Sequence, residues 1–495
     1  MRIRNGRCYR LLCRACVEAR SPGLILCALA ALLGACAVGA DYTRPAADVP
    51  AAFKEAPDGW KVAQPADQLD RGAWWSIYDD AQLSALEYEL NQSNQTIAQF
   101  AAAYRRARAL VGEARAASFP TVGFNASESR AQSPSGRITK TYDLSFNASW
   151  EPDFWGRLSR TIAGQQAGQQ AAAADLANAR LSAQATLAQT YFQLRAFDAS
   201  QTLLDNTVVA FQQSLQLTQN RYAQGLVARS DVIQAQTQLQ SAQAAAIDNG
   251  VARAQFEHAI AVLVGQPASI FSIPPSPLNA TPPAVPAEMP SAILERRPDI
   301  ASAERRAAAA NEQIGVAIAA FFPTLTVSAT GGFQSSLISE LLRVPSRFWT
   351  LGPDLAANLF DGGLRRAQTE AARAAYDQTV ATYRLTVLAA FQDVEDNLAS
   401  LRILEQETVV QQQAVESARQ ALAIVNNQYK AGTVGYVNVL VAQTSAFTAE
   451  QRLSAIAGQR MVSSVGLVKA FGGGWNAMQM NRESDVTATP YMTDR

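Results

Sequence analysis

From Tyr142 to Glu151 hydrophobic and polar residues alternate one for one. Tyr142, Leu144, Phe146, Ala148 and Trp150 stand against Asp143, Ser145, Asn147, Ser149 and Glu151, the period of a strand with a single apolar face. From Phe154 the alternation stops and a run rich in Ala, Gln, Leu and Arg follows with no polar loop between. That run predicts a helix from about 154 to 220, roughly 100 Å long at 1.5 Å per residue. The same alternation recurs three times. Val122, Phe124 and Ala126 oppose Thr121, Gly123, Asn125 and Ser127, and Leu325, Val327 and Ala329 oppose Thr324, Thr326, Ser328 and Thr330. In "LGPDLAANL" the apolar face is Leu351, Leu355, Ala357 and Leu359. Loops "ESRAQSPSGRITKT" and around "SRFW" would join the strands in pairs. Each strand is about nine residues, the reach of a transmembrane β-strand.

Proline marks the helical stretches by its absence, since an interior proline breaks a helix. None occurs between Pro65 and Pro120, Pro152 and Pro267, or Pro353 and Pro490, whereas "IPPSPLNATPPAVPAEMP" at 273–290 reads as an extended linker. Across that linker the chain repeats. "ASFPTVGFNAS" returns as "AFFPTLTVSAT", "FWGRLSR" as "FDGGLRR", Leu194-Arg195 as Leu401-Arg402, and "RYAQGLVARSDVIQAQT" as "QYKAGTVGYVNVLVAQT", at offsets of 203 to 207. Such a period exceeds any solenoid repeat and indicates a duplicated unit: helix, strand, loop, strand, very long helix, turn, helix. Gly225 suits the left-handed residue that ends the first long helix, with Ser230 or Asp231 capping the next. The second copy turns at Gly432 and Gly435. The hairpins read as coiled-coil layers.

Four strands raise a difficulty. Unpaired backbone groups in hydrocarbon cost several kcal/mol each, and four strands do not close a barrel. Either the sheet is a soluble one packed on helices or several chains share one barrel. The second reading fits the Ser, Thr, Asn and Asp of the polar faces as a wet lumen and the aromatics Tyr142 and Trp150 as interface residues.

The 42 basic and 42 acidic residues balance, which gives no sign of a nucleic-acid partner. All five cysteines lie at or before Cys36. A zinc reading of Cys8, Cys13 and Cys16 is weakened by their setting. Six arginines in the first 20 residues and the apolar "LILCALAALLGA" make a signal peptide, whose n-region is long enough to leave room for a start codon downstream of Met1. Leu33-Gly34-Ala35-Cys36 resembles a bacterial lipobox. Cleavage there would leave Cys36 with N-acyl and S-diacylglycerol groups, no other thiol, and a mature chain of net charge −5.

"DYTRP", "WWSIYDDAQLSALEYELNQSN", "WEPDFWGR", "ERRPDIASAERRAAAANEQIGVAIAAFFPT" and "LFDGG" resemble signature stretches of the TolC-like outer-membrane factors, in the lipidated OprM/NodT branch serving tripartite RND-type efflux pumps. The resemblance covers nearly the whole mature chain. It implies a mostly α protein with transmembrane β: a homotrimer in which three chains close a twelve-stranded β-barrel, continued by a periplasmic α-helical tunnel. It also implies a periplasmic membrane-fusion adaptor, an inner-membrane RND-type pump, an outer-membrane lipid environment and no cofactor beyond the covalent lipid on Cys36. The expected domains are a signal peptide (1–35), an anchor and extended segment (36–72), the first efflux repeat (73–272), the linker (273–290), the second repeat (291–475) and a tail (476–495). Carried over residue by residue, the adaptor-contacting tips correspond to Gly225, Leu226, Val227, Gly432, Thr433 and Val434. The family's acidic gate falls on Asn438 and Val441, a departure that removes the carboxylates; Asp231 of the first repeat is the other candidate constriction.

Two rival classes meet obstacles. An enzyme would need a reactive constellation, yet the mature chain offers no cysteine pair and no phosphate loop, and its one histidine, His258, lies in a helical run. Asp393, Glu395 and Asp396 read as a solvated helix face, so no catalytic or metal residue is expected. A structural coiled-coil lipoprotein without a channel, or an exit duct of another secretion system, explains the helices, but the former leaves the duplicated strands unexplained.

Overall fold

The structure, a computed structural model of the chain, describes residues 38–50, 52–55, 73–278, 280–283 and 296–473. The signal peptide, Cys36, residues 284–290 of the linker and the tail lie outside the described residues. A short 3-10 turn at Trp74–Tyr78 leads into α1 (Ala81–Ser93), which is followed by the first repeat. That repeat is α2 (Gln95–Ala116), β1 (Thr121–Gln132), β2 (Ile138–Trp150), α3 (Arg157–Ala223) and α4 (Arg229–Leu263). The second is α5 (Pro298–Ala319), β3 (Thr324–Ser335), β4 (Arg347–Ala356), α6 (Leu364–Ala431) and α7 (Tyr436–Ala470). Equivalent helices agree in length: 22 and 22, 67 and 68, 35 and 35 residues. The duplication is therefore structural. Among the described residues no helix is long and apolar enough to cross a membrane.

The residues form two compact units, one made of Ala107–Gln169, Arg305–Val380 and the described part of Met1–Arg44, the other of the remaining described chain. The first holds a four-stranded antiparallel sheet in the order β1-β2-β3-β4. Its strands run 12, 13, 12 and 10 residues, longer than the alternation suggested. Polar residues keep pairing after the apolar face ends, as Glu128 does with Tyr142 and Arg130 with Lys140. The expected 14-residue loop therefore shrinks to a turn in which the Gly136 N–H donates to the Ser133 carbonyl at 2.8 Å. Strand β4 is displaced toward the N-terminus, so Ala357 and Leu359 lie beyond it and Trp349 joins its apolar face. The ladder ends at the Thr324–Ala356 pair because Pro323 comes next and has no N–H to donate.

Six residues, Glu151 to Gly156, separate β2 from α3 where no break was expected. The Asp153 carboxylate accepts from the N–H groups of Leu158 (3.0 Å) and Ser159 (2.7 Å), capping α3. The Trp155 ring stacks on Phe322 at 4.8 Å and its indole donates to the Pro323 carbonyl at 2.7 Å, fixing the junction.

The second unit is helical. Its largest core gathers Trp74, Trp75, Tyr78, Leu83, Leu90, Leu187, Phe192, Ile260 and Met461. A second gathers Phe53, Ile300, Tyr383, Val387, Phe391 and Phe471. Both long helices hold extended segments through their repeat-related arginines. Arg195 bonds Asp198 (2.8 Å) and the Pro274 carbonyl (2.9 Å), while Arg402 pairs with Glu55. Within α1, Leu83, Leu86, Glu87 and Leu90 are the buried face, so a carboxyl occupies a core position. Glu87 is fully buried and neither oxygen has a partner, and burial pushes its pKa up to about 9.

Two predictions follow from this packing. Arginine at Phe146, on the apolar face, would cost about 2–4 kcal/mol if that face meets lipid at mid-depth. Arginine at Asn147, on the polar face, would be tolerated; equal losses of assembly and heat stability at both positions would refute the register. For Glu87, the folded chain keeps the proton up to about pH 9, whereas the unfolded chain releases it near pH 4.3. Stability therefore falls as pH rises across that window, by at most about 1.4 kcal/mol per pH unit. Glu87→Leu should remove this slope and raise the melting temperature at pH 8, read by calorimetry from pH 5 to 9.

Candidate functional site

Cross-strand partners share a face, so the register sorts every strand residue. One face carries Val122, Phe124, Leu144, Phe146, Trp150, Val327, Trp349, Leu351 and Leu355. Its large side chains are open, Phe146 at 60% and Trp349 at 77%, and Phe124 and Phe146 pack ring to ring at 5.2 Å. The opposite face is Thr, Ser, Asn, Gln and Gly, with Phe348 and Ala at its margins and Asp143 and Asp354 as its only charges. Asp143 accepts from Asn125 (3.2 Å) and Ser145 (2.6 Å), and Thr330 donates to Asn147 at 3.1 Å. A greasy wall backs a wet one, and the outer edges of β1 and β4 have no partner strand among the described residues.

At the helix tips, Gly225 and Gly432 take the left-handed conformation, with φ of 73° and 79°. Gly435 instead sits at the N-cap of α7 in extended geometry. The N-cap of α4 is Ala228, without a side-chain bond; Ser230 and Asp231 lie inside the helix, where Asp231 favours the positive end of the helix dipole. Leu226, Thr433, Gly225 and Gly432 are exposed, and Val227 and Val434 are half-buried. The two tips differ in what holds them. Arg221 of α3 donates to the carbonyls of Tyr429 and Lys430 at the C-terminus of α6, and its guanidinium lies 4.6 Å over the Tyr429 ring. Tyr429 packs on Tyr436 at 5.7 Å and donates to the buried Thr218 at 3.3 Å. Sequence reading missed this knot. Its one signal was "RY" returning as "QY" in the repeat, and the copies diverge: Tyr429 is 2% exposed and Tyr222 47%.

Asn438 and Val441 are exposed on α7, one turn apart, on the side away from the buried Tyr436 and Val439. Asp231 is half-buried nearby. Burial pushes the Tyr436 phenol up, and the Asp231 carboxylate adds to the shift. Asp231 thus sits in the knot's field, whereas Asn438 and Val441 face outward from it.

Cys36 lies outside the described residues, but the chain two residues on is firmly held. The Val38 N–H donates to the Trp155 carbonyl at 3.2 Å. Buried Arg160 bonds the carbonyls of Gly39 (3.1 Å) and Ala40 (3.3 Å) and pairs with Glu312 at 3.0 Å. The start of this segment is therefore fixed at the strand-to-helix junction.

The acidic cluster is structural rather than simply solvated. Asp393 pairs with the buried Arg297 at 3.0 Å, and Glu395 accepts from the N–H groups of Lys54 and Glu55. His258 is exposed on α4. No group of metal-ligating side chains occurs among the described residues.

The profile of the outer membrane efflux protein family matches residues 86–266 and 289–473, one segment for each repeat. The chain is 30% identical over 465 residues to the solvent efflux pump outer membrane protein SrpC of Pseudomonas putida, covering 90% of this chain and 97% of that one. It is 31% identical over 480 residues to the outer membrane protein OprJ of Pseudomonas aeruginosa, covering 92% and 97%. In three dimensions it superposes on the outer-membrane channel OprN with a TM-score of 0.83 at 28% identity, over 89% of this chain and 100% of that one. A sheet with one apolar and one polar face, two equal sets of long helices and matches spanning both repeats lead to one conclusion: the chain belongs to the outer membrane efflux protein family.

Proposed function

We propose that the protein is the exit duct of a tripartite efflux system, a passive homotrimeric conduit rather than an enzyme. Three four-stranded sheets would close edge to edge into a twelve-stranded barrel, apolar faces to lipid and polar faces to a water-filled lumen. The observation that carries this reading is the division of the sheet's central rows into an apolar and a polar face, with two sheet edges left open among the described residues. The long helices, each roughly 100 Å, would form the periplasmic tunnel. Their tips, Gly225, Leu226, Val227, Gly432, Thr433 and Val434, would meet a membrane-fusion adaptor bound to an inner-membrane RND-type pump. Cargo would be drugs or other toxic small molecules chosen by the pump; the Pseudomonas putida relative is named for a solvent efflux pump. Conductance of the purified protein in planar bilayers tests the channel directly; a structural lipoprotein would give none.

Lipidation at Cys36 would add an anchor. Support comes from the segment beginning two residues later, which is tied to the Trp155 carbonyl beside the strands. Cys36→Ser should abolish palmitate labelling in cells while only partly lowering efflux, because the barrel also holds the protein. Label persisting on the mutant would exclude this site.

At the tunnel's inner end, three copies of Asn438 and Val441 would make an amide ring and an apolar ring one turn apart. The apolar ring resists ions by dewetting, and neither ring carries charge. Resting conductance should therefore be low and nearly indifferent to divalent cations. Val441→Asp should introduce divalent block, and Val441→Ser should raise conductance, both read in single-channel records. Strong block in the unmodified protein would move the constriction to a carboxylate such as Asp231.

A further inference from the structure

The two strand-connecting segments at the far end of the sheet are chemically opposite. Past the cross-strand row Ala126, Leu144 and Phe333, the β1–β2 hairpin continues with Glu128, Arg130 and Lys140 on the outward face and ends in "SPSGR". The β3–β4 connection, residues 336–346, begins almost at that row and is apolar. Leu337 is 56% exposed, Ile338 69%, Leu342 70% and Val344 77%. Water gives such a loop no reason to present four large apolar side chains together.

Part of its backbone is bonded within the loop, which lowers the cost of leaving bulk water. The N–H of Leu337 donates to the Ser335 hydroxyl (3.2 Å), those of Glu340, Leu341, Arg343 and Ser346 to carbonyls of the loop itself, and Pro345 has none to satisfy. The Ser346 hydroxyl closes the loop on the Glu340 carbonyl at 2.8 Å. The charged groups are placed as at a membrane surface. Arg343 pairs with Glu340 at 3.1 Å. Exposed Arg347 stands in the Phe333 row of the outward face, directly before exposed Trp349.

We infer that residues 336–346 form a lipid-docking loop that lies on the outer leaflet, with Leu337, Ile338, Leu342 and Val344 entering the boundary between head groups and acyl chains. Arg347, and Arg343 at the loop's edge, face the phosphates of the lipid head groups. The apolar face of the sheet and the loop then make one continuous lipid-facing surface, and the inference rests on the barrel reading of that sheet. The loop would add a second point of attachment, at the leaflet opposite the lipidated terminus.

Spin labels test it in the full-length protein reconstituted into phosphatidylethanolamine–phosphatidylglycerol liposomes. Leu342→Cys and Val344→Cys are labelled with a nitroxide, alongside Phe146→Cys as the lipid-face reference and Ser135→Cys, in the polar hairpin, as the aqueous one. The parent protein treated with the same label is the blank. Both loop labels should show a several-fold loss of accessibility to a water-soluble nickel chelate relative to Ser135, with oxygen accessibility like that of Phe146. Nickel accessibility equal to that of Ser135 would overturn the proposal. So would dipolar broadening among loop labels, which would mean that the loops meet each other across the barrel mouth. If the Phe146 label is itself open to nickel, the barrel reading fails together with it; if only the loop labels are, the barrel stands without the lipid-docking loop.

Discussion

An open sheet edge is tolerable in water and prohibitive in hydrocarbon, where each unpaired backbone group costs several kcal/mol. This constraint governs the rest of the molecule. The sheet has a face that only lipid or a packed core would cover, yet Phe124, Phe146, Trp349 and Leu351 are left exposed by the described residues. Its edge strands, β1 and β4, come one from each repeat. A single duplication thus supplies four strands with two outer edges, and any closed arrangement must join the β4 of one copy to the β1 of another. On the barrel reading, oligomerisation would pair those edges through backbone hydrogen bonds, prior to any side-chain contact between subunits.

Duplication fixes lengths, and divergence sets the copies apart. The matched helices differ by one residue at most, which keeps both tips at the same distance from their strands along the chain. Within that frame the tips are built unequally. The first turn exposes Tyr222 and Leu226, while the second is bound down through Arg221, Tyr429, Tyr436 and Thr218. A half-buried cation over an aromatic ring, bonded to the last carbonyls of a helix, is a stronger tie than the backbone bonds of the turn alone. Because Arg221 and Thr218 belong to α3 and Tyr429 to α6, the knot ties the two hairpins to each other just above their exposed turns.

Most of this architecture is legible in the sequence because it rests on periodicity and on proline and glycine, whose effects are local. Alternation over 142–151 and the proline-free stretches identify the strands and helices, and Gly225 and Gly432 adopt the backbone their chemistry allows. Errors arose where partners distant in sequence decide. The end of β4 depends on its register against β3 and on Pro323, which no pattern within 347–359 reveals. The hairpin at 133–137 is short because backbone pairing continues between polar side chains. Ala228 takes the N-cap although Ser230 and Asp231 have better capping chemistry, since the tight turn at Gly225 sets where helical geometry resumes. Arg160 and Arg297 are buried and Arg221 half-buried, each reaching a carbonyl or carboxylate of another element that no local pattern reveals. Glu87 follows the core spacing of its helix, so its position was readable, but its isolation from any partner was not.

The abundance of alanine has a specific consequence for packed helices. Along α3 the buried positions include Ala171, Ala174, Ala177, Leu181, Ala185 and Ala188, spaced by three and four residues. Small side chains at that spacing let neighbouring helices approach closely and leave little volume for repacking. At Gly458 a methyl group would be too much, since its Cβ would lie 2.7 Å from that of Ala196. A helical glycine costs about 1 kcal/mol against alanine in helix propensity, and here it permits a close approach that alanine would block. Close approach makes long helices behave as a stiff sheath without a thick hydrophobic core. That leaves the polar, Gln-rich faces free of packing duties and available to line or surround water, the one medium every exported solute must cross.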